Sequence, residues 1–314
     1  MRIAFLGKGG SGKTTLSSLF ALYLSSKKYR VGLLDVDVNS HTADVLGAAE
    51  VAQLSEVAET EKIQTFLAGS NPLIQTAEML NTTPPGHGSG AWTLDDDNFV
   101  TKNYGAKFGA TARVFTTGSY KPHNVGVACH HGTQTIAENL LSHARLLQND
   151  AIVIDSVAGN DSFGTSLYFQ DALVWVVKPE REGIDVFRRY YDMAQRVGVA
   201  DSVYVIGNQC TTDSQVAFLQ REIPTNMLLG CLRTSDRIVD ARLDDTSLSA
   251  AMISDEMAAV FSRVIIIAKA QQKSPQEYYD FIVRLHKKVV REPWVYGAYR
   301  KGLEDQIDAT YRPA

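Results

Sequence analysis

The chain has 314 residues, 45% hydrophobic and 21% charged, with 31 basic side chains against 35 acidic ones for a net charge of −4. These values describe an ordinary globular chain, long enough for one large domain with an appendage, and the lack of a basic excess argues against nucleic acid as a partner. Apolar runs such as Ala172–Val177 and Val264–Ala268 fall well short of the roughly 18 residues a membrane helix needs.

The N-terminus enters a strand almost at once, so no signal peptide is expected. Cys129, Cys210 and Cys231 are too scattered for a disulfide framework, which favours a reducing, cytoplasmic setting with buried thiols.

In chain order, short runs rich in β-branched residues alternate with helical patterns. The first half predicts strand Ile3–Leu6, helix Thr14–Lys27, strands Val31–Asp35 and Arg113–Thr117, helix Thr133–Leu147 and strand Ala151–Asp155. The second predicts strand Ala172–Val177, helix Gly183–Val197, strand Ser202–Gly207, helix Asp213–Glu222 and strand Asn226–Cys231. Such alternation, with strands apolar on both faces, predicts a three-layer, doubly wound α/β fold around a mostly parallel sheet.

Over about residues 48–112 the alternation weakens, and Asn81–Gly90, rich in Gly, Pro and Ser, reads as a mobile loop in an excursion from the sheet. After Cys231 the pattern turns helical, with helices expected over Ser254–Ala270, Pro275–Arg291 and Ala298–Ala309. Ser274 is a candidate N-cap with Pro275 at the first helical position and Glu277 in the first turn. The expected division is one α/β domain over 1–270 and a helical extension over 271–314. In the extension, Tyr278, Phe281, Ile282, Leu285 and Val289 share one helix face opposite Arg284, Lys287, Lys288 and Arg291. Docking on its own domain or a partner is expected of this face, rather than membrane binding.

Chemistry concentrates first in Gly7-Lys8-Gly9-Gly10-Ser11-Gly12-Lys13-Thr14-Thr15. The GxxxxGK[ST] spacing, after a strand and before a helix, is the context of a phosphate-binding loop. Its glycines let backbone N–H groups converge on polyphosphate, and the helix N-terminus adds partial positive charge. Lys13 then neutralises the β- and γ-phosphates and the Thr14 hydroxyl binds Mg²⁺. A second acidic element, Asp155, ends the strand Ala151–Asp155 and suits the same Mg²⁺ through water.

With two lysines in the loop, this stretch resembles the deviant Walker A ATPases of KGGxGKT[ST] type, which comprise MinD, ParA, ArsA, the nitrogenase iron protein and the CooC-type metallocentre maturation ATPases. The resemblance implies a P-loop fold that binds ATP and Mg²⁺ and hydrolyses ATP in a face-to-face homodimer. Lys8 would then reach the phosphates of the partner's ATP, with Gly9, Gly10, Ser11, Gly12, Lys13, Thr14 and Thr15 cradling its own. Leu33–His41 resembles switch I, where Asp37 would orient the attacking water and Asp35 support the Mg²⁺ shell, with Val38 in place of a usual proline. Asp155–Gly159 resembles switch II, where the Gly159 N–H would sense the γ-phosphate. Val203–Asn208 resembles a strand end whose Asn208 amide pairs with adenine, and Leu232 and Arg233 would flank that base by backbone contact.

Phe99–Gly105, Arg113–Gly118 and Gly126–His131 extend the likeness toward the CooC type, whose members insert nickel and carry a CxC pair. Here the pair is broken. Cys129 and His131 instead form a Cys-x-His set, which two copies could turn into a Zn²⁺ or Ni²⁺ site at a dimer interface; a buried thiol and helix-capping histidines are the alternative. A client metalloprotein is the implied partner. Two other readings stay open: a positioning ATPase of ParA or MinD type acting on DNA or membrane, and a non-catalytic, ATP-gated dimerisation module.

Overall fold

The computed structural model describes residues 1–37, 39–50, 52–119, 130–293, 295 and 302–313. Its first half runs β1 (Arg2–Gly7), α1 (Lys13–Ser26), β2 (Arg30–Asp35), α2 (Thr42–Val45), α3 (Val57–Ala68), α4 (Phe99–Tyr104), β3 (Ala106–Phe108), β4 (Ala112–Thr116), α5 (His130–Ser142) and β5 (Asp150–Asp155). The second half runs β6 (Ala172–Val177), α6 (Arg181–Arg196), β7 (Val203–Cys210), α7 (Asp213–Glu222), β8 (Leu228–Arg233), α8 (Asp236–Leu243), α9 (Asp255–Ala270) and α10 (Pro275–Val289).

Among the described residues eight strands form one sheet, ordered β3-β4-β2-β5-β1-β6-β7-β8. Every pairing is parallel except the edge pair β3–β4. Burial along the whole of β1, β5 and β6 explains their continuous apolar sequences, because helices cover both faces. The chain starts at β1, winds out through β2 to β4, returns to insert β5 between β2 and β1, then winds the other way through β6, β7 and β8. That reversal opens a crevice at the carboxyl ends of the central strands, the place where doubly wound folds bind ligands.

Two cores flank the sheet. On one face α1 and α9 pack together, with Phe20 edge-on to Phe261 at 5.3 Å between ring centroids. On the other, residues of α3, α5, α6 and α7 cover the strands, and Trp175 of β6 meets Tyr190 of α6 at 4.5 Å. α1 is almost wholly buried, and its burial fixes the loop that precedes it.

The extension docks on its own chain. A capping box between Ser274 and Glu277, with Pro275 behind it, starts α10. Tyr278, Phe281 and Ile282 then bury against Tyr168 and Phe169, with Phe169 stacked on Phe281 at 3.9 Å. No helix among the described residues is long and apolar enough to cross a membrane.

Two expectations are corrected here. The stretch expected to be a mobile loop is pinned: Asn81, Thr82 and Thr83 are buried, and the Thr83 hydroxyl donates to the side-chain oxygen Oε1 of Gln306 at 2.6 Å. His87 pairs with Asp308, and His286 Nε2 donates to the Leu303 carbonyl. The polar residues that suggested a solvated loop satisfy the C-terminal tail instead. Of the helix expected over Ala298–Ala309, residues 298–301 lie outside the described residues, and 302–309 hold only a single 3₁₀ turn at Glu304–Gln306, because the backbone there is committed to these cross-links.

Candidate functional site: a phosphate loop between two switch strands

β1 ends in Gly7, and the chain turns through Gly10 (φ 77°) and Gly12 (φ 94°) into α1, two left-handed positions that a side chain rarely adopts. Ser11 N donates to the Lys8 carbonyl at 3.1 Å, which closes the turn. A Cβ added to Gly9 or Gly10 would meet no atom within 4 Å, so the loop faces open space where a phosphate would sit. At Gly12 a Cβ would lie 2.4 Å from Asn208 Nδ2. Gly12→Ala is therefore expected to cost about 2 kcal/mol and to abolish nucleotide binding, whereas Gly9→Ala leaves folding stability unchanged. Paired urea-unfolding and nucleotide-titration curves check both.

Lys13, 6% exposed, points its Nζ to Asp37 Oδ2 at 3.7 Å. Thr14 Oγ1 donates to Asp155 Oδ2 at 2.7 Å, so the loop hydroxyl and the end of β5 already touch. Asp35 and Asp155 stand opposite each other in the register of β2 and β5. Both are buried, and Asp155 is lifted to about 7, first by burial and then by the negative charge of Asp35. Burial lifts Asp35 as well. Asp155 Oδ1 is buried without a hydrogen-bond partner. Two close carboxylates, one unsatisfied oxygen and a neighbouring hydroxyl are a hard-oxygen donor set that suits Mg²⁺.

Asp35 also braces switch I. Its Oδ1 accepts from Asp37 N at 3.1 Å, and its Oδ2 accepts from Ser40 Oγ at 2.9 Å and Thr42 N at 3.1 Å. Gly159, at φ 71°, donates its N–H to the Gly7 carbonyl at 3.0 Å.

Asn208 Nδ2 donates to the Ser11 carbonyl at 2.8 Å, propping the phosphate loop from β7. Beside it lies a cavity of about 320 Å³ lined by Gly12, Thr15, Asn208, Gln209, Arg233 and Leu243, among others. This is the space a base and ribose could take. Arg233, expected to flank the base, lines it and pairs with Asp213. The Leu232 side chain does not reach it, being wholly buried in the α1/α9 core.

Lys8 is half-exposed and lies 3.8 Å from Glu180 at the end of the β6–α6 connection. Sequence reasoning missed Glu180, as it missed Ser40 and Thr42; none carries a local signal, and only the packing of strand ends brings them in. Cys129 lies outside the described residues, as does the side chain of His131 in the first turn of α5. Among the described residues no group of three or more His, Cys, Asp and Glu is placed to hold a metal ion.

A strand–glycine loop–helix unit at the switch point, with a buried lysine, a threonine hydroxyl and two strand-end aspartates around one concavity, defines a P-loop nucleotide-binding protein. The CobQ/CobB/MinD/ParA nucleotide binding domain model matches residues 3–289, and the chain belongs to that family. That model describes a nucleotide-binding domain, so a nucleotide is the ligand of the phosphate loop.

Among curated proteins, the chain is 25% identical over 277 residues to the carbon monoxide dehydrogenase accessory protein CooC of Rhodospirillum rubrum, covering 84% of this chain and 97% of that one. Among solved structures it resembles a putative plasmid partition protein of Borrelia burgdorferi bound to AMPPNP, with a TM-score of 0.57 at 14% identity, covering 86% of this chain and 98% of that one. It also resembles the septum site-determining protein MinD of Pyrococcus horikoshii complexed with Mg-ADP, with a TM-score of 0.53 at 16% identity, covering 87% and 99%. These structural likenesses bear on the fold.

Proposed function

We propose that the chain is an ATP-dependent dimerisation switch that hydrolyses Mg-ATP and serves metallocentre maturation in the manner of CooC-type proteins. The carrying observation is the convergence of Lys13, Asp37, Thr14 and Asp155 on one concavity. Lys13 meets the β- and γ-phosphates, and Asp37 beside it holds the attacking water in line. Mg²⁺, held by Thr14 with Asp155 and Asp35 behind it, supplies charge neutralisation when bound. Gly159 would exchange its bond to Gly7 for one to the γ-phosphate, carrying the nucleotide state into the segment that packs on α10.

Lys8 supplies charge to the ATP of a second copy. In one chain it rests near Glu180 with both side chains 44% exposed, a contact weak enough to be given up on dimerisation. The maturation role rests on the likeness to CooC along nearly its whole length; the cargo would be a nickel or zinc ion on Cys129 and His131 of two copies, and a cytoplasmic setting fits the thiols.

The test is metal analysis of dimer purified without oxygen, with and without ATP, for the natural protein and for Cys129→Ser. About one metal ion per ATP-bound dimer, lost in the variant, is the expected result. Absence of metal from both leaves ATP hydrolysis standing and removes the maturation role.

A further inference from the structure

Cys210 and Cys231 lie far apart in sequence but on neighbouring parallel strands, β7 and β8. Strict alternation along β7 would set Cys210 on the face of Ile206, opposite Val203 and Val205. The structure places it with Val203 and Val205 in the core beneath α7, while Ile206 lies in the other core. The cause is a bulge. The β7–β8 register shifts between Gly207 and Cys210, and Gln209 takes a left-handed φ of 58°.

The extra residue turns Cys210 back onto the face that Cys231 also occupies. Cys231 Sγ lies over Gly207, only 2.9 Å from where a Cβ on that residue would stand, so the missing side chain leaves room for the sulfur. The strand register sets Cys231 opposite Gly207 and Cys210 opposite Arg233, so the two thiols are near neighbours on one face and each shifts the other's acidity. The pair is asymmetric: Cys210 is wholly buried and Cys231 only partly so. The neighbouring Cys231, with burial behind it, pushes the Cys210 thiol up, and Cys210 in turn draws the Cys231 thiol down.

We infer that Cys210 and Cys231 form a thiol–disulfide modification site that sets nucleotide affinity, taking a low-molecular-weight disulfide as oxidant. The Cys231 thiolate attacks one sulfur of the oxidant, forming a mixed disulfide and expelling one thiolate. That thiolate, or solvent, takes the Cys210 proton; Cys210 then attacks Cys231 Sγ and expels the second thiol. One oxidant disulfide is reduced to two thiols, and the protein gains one disulfide.

The bulge that pairs the sulfurs also carries Asn208, bonded to Ser11 of the phosphate loop, and Gln209, which lines the base cavity. Arg233, two residues beyond Cys231, lines the same cavity. Drawing the sulfurs into a covalent bond shifts the bulge and with it these three side chains.

The test incubates the full chain, purified under reducing conditions, with oxidised glutathione, followed by peptide mapping and titration with a fluorescent ATP analogue. A Cys210–Cys231 cross-linked peptide is expected, with nucleotide affinity lowered about tenfold, the equivalent of about 1.4 kcal/mol, and restored by dithiothreitol. Cys210→Ala should accumulate the glutathione adduct on Cys231, and Cys231→Ala should show neither adduct nor affinity loss. A stable Cys231 adduct in the unsubstituted protein would overturn the pairing, and a cross-link that leaves affinity unchanged would overturn the coupling.

Discussion

Lys13→Ala protein is expected to lose nucleotide binding, whereas Lys8→Ala protein should bind ATP with nearly unchanged affinity yet fail to dimerise on it or turn it over. The two lysines sit five positions apart in one loop but in different surroundings. Lys13 is buried on the first turn of α1, beside Asp37. Its removal strips the phosphates of their cation and leaves Asp37 facing them unpaired, which should cost 2–5 kcal/mol of binding, or roughly 30- to 5000-fold in affinity. Lys8 points away from that pocket, toward Glu180 and solvent. In the proposed dimer its charge would be used only when a second copy brings its own ATP alongside, so the loss should fall on turnover, by at least about 10²-fold. Calorimetric titration, sedimentation with and without ATP, and phosphate release separate the cases. Equal loss of binding in both variants would end this division of labour.

The phosphate loop could be read from sequence because everything it needs is local: a buried strand, glycines where φ must be positive, and a helix that follows at once. α7 could be read for a similar reason; Thr212 and Gln215 form a capping box that marks its start. What escaped depends on neighbours. α8 buries only Ala241, so it carries no apolar stripe. α3 begins without a side-chain cap, and β3 is a three-residue edge strand. Within the site, Asp35 and Asp155 ended predicted strands and were visible, while Ser40 and Thr42 acquire meaning only where the ends of β2 and β5 meet, and Glu180 only where the ends of β1 and β6 meet. The bulge in β7 is the sharpest case: an alternating pattern read from sequence puts Cys210 on the wrong face, and nothing in Gly207–Cys210 announces the extra residue.

Two buried titratable groups, Glu138 on α5 and His143 just past its end, have opposing effects on stability, and this gives the second large expected effect. Glu138 is lifted from 4.5 to about 7 by burial, although its Oε1 accepts from Ser166 N at 2.5 Å. The folded protein therefore favours its protonated form, and stability falls as pH rises from about 4.5 to 7. His143 is lowered from 6.5 to about 4, again by burial, with Nδ1 donating to the Asn139 carbonyl and Nε2 without a partner. The folded protein favours its neutral form, so stability falls as pH drops from 6.5 toward 4. Each slope is about 1.4 kcal/mol per pH unit, with opposite sign, so the two cancel across the shared window from 4.5 to 6.5. Single substitutions should expose them. Relative to the parent at each pH, Glu138→Gln protein should lose stability on acidification through that window and be about 3 kcal/mol more stable at pH 8. His143→Gln protein should lose stability on alkalinisation instead. Urea unfolding at pH 5, 6 and 8 reads both slopes, and their difference removes every other group that titrates in the same range. Parallel stability profiles for the two variants would mean that neither group is held in its neutral form by the fold.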